Sequence, residues 1–67
     1  VTFNSMGGSP VESKRVKMNT PVEEPEEPVK PGYIFDGWYT GQLYLTRWNF
    51  TNNVLFNMTL YAKWIEL

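Results

Sequence analysis

A small, mainly β domain is what this sequence predicts, and three observations carry that expectation. Eleven of its 67 residues are aromatic, and four of these fall within Gly32-Tyr-Ile-Phe-Asp-Gly-Trp-Tyr39. Bulky rings of this kind suit a half-buried strand, and the glycines beside them mark bends or close backbone approach. Short stretches in which apolar and polar residues alternate recur along the chain, bounded by Gly, Pro and Asn clusters. Pro25, Pro28 and Pro31 closely follow the one helix-like start and leave no room for a long helix.

Val1-Thr-Phe-Asn-Ser5 and Val16-Lys-Met18 both alternate, with Gly7-Gly8-Ser9-Pro10 as turn chemistry between them, so an N-terminal β-hairpin is expected. Its second strand, about Val11 to Met18, carries Lys14, Arg15 and Lys17, charges of the kind that protect an exposed sheet edge. Thr20-Pro21-Val22-Glu23 has the form of a helix N-terminus, with Thr as cap and Pro at the first helical position. The prolines beyond it limit the outcome to at most a one-turn helix near Pro21 to Glu24. Tyr33 to Tyr39 is the aromatic strand, and Thr40-Gly41-Gln42 turns it into a second strand around Leu45 to Phe50, giving another hairpin. After the Asn52-Asn53 loop, Thr59-Leu-Tyr-Ala-Lys-Trp64 alternates cleanly, placing Leu60, Ala62 and Trp64 on one face and Tyr61 and Lys63 on the other. Two hairpins, a short helical turn and a central C-terminal strand describe a β-grasp-like mixed sheet with the first and last strands side by side and parallel. The expected core is Phe3, Val16, Phe35, Gly37, Trp38, Phe50, Leu60, Ala62 and Trp64.

Residues 1–67 allow one domain, and a chain of about 60 residues hides only about 60% of the surface its unfolded form exposes. There is no Cys to staple it and no His, so disulfides and the usual zinc and thiolate chemistry are excluded, and neither metal nor cofactor is expected. Aromatic burial, about 150–250 Å² per ring, has to supply the core. A net charge of −1 offers no electrostatic footprint for nucleic acid or for an anionic membrane. No apolar run approaches the roughly 20 residues of a membrane span, and no signal-peptide pattern opens the chain. The chain opens on Val1 in a strand-like pattern and stops on Leu67 just after another, which predicts a single module within a longer protein.

Gly32-Tyr33-Ile-Phe35-Asp-Gly37-Trp38-Tyr39, then Trp48-Asn49-Phe50, Val54, and Met58-Thr59-Leu60-Tyr61-Ala62-Lys63-Trp64 form three spaced blocks. In that order they resemble the Listeria-Bacteroides repeat family, the module type of the B repeat of internalin B, a bacterial surface invasion protein. Val1-Thr-Phe-Asn-Ser, Gly7-Gly8 and Glu24-Pro25 also fit its spacing, so the resemblance covers nearly the whole chain. It implies a β-grasp fold, related in shape to ubiquitin-like modifiers and bacterial mucin-binding modules. It also implies tandem occurrence in secreted or wall-attached bacterial proteins, hence an extracellular setting and neighbouring repeats as partners. Two places depart from the family pattern. Met18-Asn19 stands where an aromatic-Gly pair is more usual, and Leu55-Phe56 stands where polar loop residues are more usual. Those two apolar side chains would pack either on a neighbouring repeat or on this domain's own core.

Strict alternation from Phe35 sends Trp38 to the opposite face, whereas a bulge at Gly37 resets the parity and brings both rings to the buried face. The buried alternative is the expected one, because large aromatics in small domains usually are the core. Tyr39, Tyr44 and Trp48 are the rings to inspect for a sugar-stacking platform, the chemistry of a carbohydrate-binding module. Glu23, Glu24, Glu26 and Glu27 read as a solvated acidic connection, because a calcium loop would add Asp, Asn and a Gly and a catalytic pair would converge from separate elements. Asn49-Phe-Thr51 and Asn57-Met-Thr59 match the glycosylation pattern and are silent in a bacterial chain. Without His there is no conventional base to activate Ser or Thr, so no enzyme is expected. What is left is contact surface. The Lys14, Arg15 and Lys17 edge would accept an acidic extended peptide by strand addition, or simply guard itself, and Leu55 and Phe56 would touch a neighbour. The expected role is a spacer and protein-protein contact module, monomeric in isolation, whose partner is a host or bacterial surface protein.

Overall fold

The computed structural model describes all residues from Val1 to Leu67. Five strands, and no helix, make up its regular structure: β1 Thr2–Asn4, β2 Thr20–Pro21, β3 Tyr33–Tyr39, β4 Asn53–Val54 and β5 Thr59–Glu66. One sheet has the order β1-β5-β3, and a second small sheet pairs β2 with β4. The C-terminal strand is therefore central. It runs parallel to β1, with Phe3 opposite Leu60, and antiparallel to β3, with Phe35 opposite Trp64.

The register of β3 against β5 shifts between Phe35 and Gly37. This bulge leaves Asp36 without a counterpart and turns Phe35 and Trp38 to the same side, where their ring centroids lie 5.5 Å apart. Gly37 sits at φ +154°, and a Cβ there would stand 2.9 Å from Cζ of Arg47. The guanidinium lies over bare backbone that only glycine provides. Gly37→Ala should cost about 1–2 kcal/mol through backbone strain. A urea midpoint unchanged from the wild type would show that the bulge tolerates a side chain.

The core is a cluster of Phe3, Val22, Trp38, Val54, Leu60 and Ala62, with Val16, Phe35, Phe50 and Trp64 packed against it partly buried. Edge-to-face contacts run through it from Phe3 to Trp38, Phe35 and Trp64, with centroids 5.0–5.5 Å apart, the arrangement ring quadrupoles favour. Val22 and Val54 join the core although no alternation marked them. Each ends or follows a two-residue strand too short to show a period.

Three expected elements are altered. Val11 to Met18 is not a strand. Val1 and Lys14 exchange both backbone hydrogen bonds, N to O at 2.7 and 2.9 Å. Beyond that pair the ladder stops, because the turn through Met6 and Gly7, both at positive φ, leads Ser9 onto Val29 instead, with Ser9 N donating to Val29 O at 2.8 Å. The helical start at Thr20 is also absent. Asn19 at φ +66° closes a turn in which the Thr20 hydroxyl donates backward to Lys17 O rather than capping forward. Thr20 then pairs with Val54. Finally, the stretch from Leu45 to Phe50 meets β3 only at a single bridge, Tyr39 to Arg47. Thr40 N to Thr46 O and Trp48 N to Trp38 O flank that bridge, after which a turn at Asn49 to Asn52 carries the chain away to β4.

Candidate functional site

Three surfaces collect the side chains capable of recognition. The first is an open cleft of about 660 Å³ beside the bulge, lined by Phe35, Asp36, Arg47, Trp48, Glu24 and Glu27 among others. The bulge aims Asp36 here, and its carboxylate accepts a hydrogen bond from the Tyr39 hydroxyl at 2.7 Å. Trp48 Nε1 is buried without a partner. Carboxylates, one guanidinium and aromatic rings can bind, but no nucleophile stands beside a base.

The Tyr39 phenol is held above its ordinary value of about 10, first by the hydrogen bond to Asp36, then by burial and by the negative charge of that carboxylate. Arg47 opposes the rise. A group whose folded value is raised favours the folded state while protonated, so this stabilisation is intact below pH about 10 and fades as pH rises through the folded value. Phenolate absorbance should therefore show one tyrosine ionising above pH 10, and Asp36→Asn should bring it earlier. A titration unaltered by Asp36→Asn would dismiss the Asp36 contact.

The second surface is the tyrosine pair. Tyr39 is buried, not exposed as a sugar-binding ring would be. Tyr44, at φ +55°, folds back onto it edge-on, with ring planes at 81° and centroids 5.6 Å apart. Lys63 Nζ lies 5.6 Å from the Tyr39 centroid. Trp48 is half-buried in the cleft wall. Tyr39, Tyr44 and Trp48 thus present no shared flat platform, and the geometry disfavours sugar stacking.

The third surface joins the basic stretch to the apolar departures. A recess floored by Val1, Val16 and Val54 is rimmed by Met18, Phe56, Lys14 and Arg15. Leu55 and Phe56 are 60% and 65% exposed, so they do not cover the domain's own core. Lys14 spends its backbone on Val1, and Lys14, Arg15 and Lys17 stand on an irregular segment, not on a strand edge ready to accept a peptide. Sequence reasoning missed the exposed tip leucines Leu43 and Leu45, because nothing in Gln42-Leu-Tyr-Leu-Thr46 signals that Tyr44 alone turns inward.

Against known proteins, residues 1–63 match the Listeria-Bacteroides repeat domain, and the chain belongs to that family. It is 45% identical over 65 residues to a protein named as a Gly-rich membrane protein of Evansella cellulosilytica, spanning 96% of this chain and 8% of that one. A second protein of that organism, named as a membrane protein, is 40% identical over 65 residues, with 96% and 10% covered. Internalin H of Listeria monocytogenes is 37% identical over 56 residues, covering 81% of this chain and 10% of the internalin. The chain spans a tenth or less of the length of these relatives. No solved structure matches it.

Proposed function

We propose that this chain is a non-enzymatic β-grasp-like repeat module of a bacterial cell-surface or secreted protein. It acts as a spacer and offers protein-protein contact surface in adhesion or host contact. The observation that carries the proposal is the parallel pairing of β1 with β5, Thr2 opposite Thr59. Because both strands start at the same end of the sheet, the chain enters beside Thr59 and leaves beyond Glu66, at the other end. Eight strand residues separate those ends by about 25 Å. A module so threaded adds its own length to any chain that contains it, whereas one whose terminal strands ran antiparallel would return the chain to where it started. The relatives, many times longer than this chain, include membrane proteins and an internalin, which supports a surface setting.

Small-angle scattering on chains of one, two and four directly joined copies tests the spacer role. The maximum dimension should grow in near proportion to copy number, by about 25 Å or more per copy. Growth no faster than that of one compact body of the same mass would reject it.

A further inference from the structure

The large exposed apolar side chains are not scattered, and the strand register sorts them to the two ends of the sheet. Met18, Leu43, Leu45, Leu55 and Phe56 lie at the end where β1 and β5 start. Leu43 and Leu45 sit on the loop that follows Tyr39, opposite Tyr61, and Met18 and Phe56 rim the recess at Val1. Val29, Tyr33, Ile34, Ile65 and Leu67 lie at the opposite end. There Ile34 pairs with Ile65 and Tyr33 with Glu66, Leu67 N bonds Gly32 O, and Val29 O accepts from Ser9. Val1 is at the first end and Leu67 at the second. The ends also differ in charge. Lys14 and Arg15 rim the first, with Lys17 beside Met18 and with Glu12 and Glu23 close to them, whereas the second carries Glu66. Lys30 is also at that end, its Nζ 4.2 Å from the Tyr33 ring centroid and 3.4 Å from Met6 O, contacts that hold its charge on the Tyr33 side without cancelling it.

We infer that the two ends are complementary halves of one contact, occupied by a second copy of this chain stacked head to tail. The Ile34/Ile65/Leu67 end of one copy would meet the Leu45/Leu55/Phe56 end of the next, with Glu66 facing Lys14 and Arg15. The inference rests on the spacer role proposed above and adds that the spacer is a stiff rod, not a flexible string. Three features select this occupant. Apolar surface sits at both ends, Glu66 at one can pair with Lys14 or Arg15 at the other, and the family the chain belongs to is a repeat domain. The contact is heterologous, so it propagates instead of closing. A patch of this size binds weakly between free molecules and becomes populated only when the copies are tethered at high effective concentration.

The test is backbone ¹⁵N relaxation on a two-copy chain with Leu67 joined to Val1, beside the single chain. Stacking predicts one correlation time shared by both halves, about twice the single chain's or more, where unstacked modules would move independently. Chemical-shift differences from the single chain should concentrate at Ile34 and Ile65 of the first half and at Leu45, Leu55 and Phe56 of the second. Leu45→Ser with Phe56→Ser in the second half should restore independent tumbling while each half keeps its folded spectrum. Glu66→Lys in the first half, which leaves the apolar surface intact, should loosen the contact as well. Independent tumbling of the unaltered chain, or shift changes spread over the sheet faces, would overturn the stacking. If the scattering dimension still grows with copy number in that case, the spacer role stands without it. If the dimension does not grow, the spacer role itself fails.

Discussion

Trp38→Ala is expected to unfold the isolated domain or bring it to the edge of unfolding at room temperature. The Trp38 ring is 2% exposed and sits between Phe3 and Phe35, 5.0 and 5.5 Å from their centroids. Removing a buried Trp to Ala costs about 3–5 kcal/mol, through lost transfer free energy and an unfilled cavity. At about 0.05–0.15 kcal/mol per residue, a domain of 67 residues holds only about 3–10 kcal/mol in total. The loss is thus of the order of the whole. Trp38→Phe, which keeps most of the ring volume, should stay folded at reduced stability. Far-ultraviolet circular dichroism with urea titration checks both, and a loss under about 1 kcal/mol for the Ala variant would show that the ring is not central to the core.

Trp64→Ala should come second, at about 3 kcal/mol. Trp64 is only partly buried, but its indole does two things. Nε1 donates to Ser5 O at 2.7 Å, which fixes the turn after β1, and its ring meets Phe35 edge-on at 5.5 Å. The ring also lies directly over Gly8, where a Cβ would run into the Cζ2 edge of the indole. Gly8→Ala should therefore cost about 1–3 kcal/mol by overpacking, since hydrogen bond and Phe35 together keep the indole from moving aside. In a Trp64→Leu background that cost should largely vanish, giving a coupling of about 0.5–3 kcal/mol in a double-mutant cycle. Additive effects would mean that Gly8 and Trp64 do not share the contact.

These two tryptophans also show what the sequence made legible. β5 announced itself because Leu60, Ala62 and Trp64 alternate against Tyr61 and Lys63, and β3 because aromatics crowd between Gly32 and Tyr39. The bulge followed from a parity conflict that only Gly37 could relieve. The failures lie where local chemistry matches more than one structure. Thr20-Pro21 reads as a helix start, but a capping residue matters only if a helix follows, and the prolines beyond it left Thr20 free to pair with Val54. Lys14, Arg15 and Lys17 look like edge protection because alternation and charge do not reveal whether a ladder partner exists. After the turn at Met6 and Gly7 the partner is Val29 for Ser9 and Val1 for Lys14, with no continuous strand between. The inward turn of Tyr44, which throws Leu43 and Leu45 outward, rests on its positive φ and on the edge-on contact with Tyr39 across the same loop, and neither residue type nor alternation announces a left-handed tyrosine.

The spacer role and the stacking of copies both depend on the chain entering at one end of the sheet and leaving at the other. The chain has no Cys, so Thr2→Cys with Glu66→Cys gives a uniquely labelled pair for double electron-electron resonance. The parallel pairing of β1 with β5 predicts a distance centred near 25 Å, the rise of seven strand residues plus one inter-strand step. Strong dipolar broadening of the continuous-wave spectrum in place of that echo modulation, as for labels at adjacent ends of an antiparallel pair about 10 Å apart or less, would contradict it.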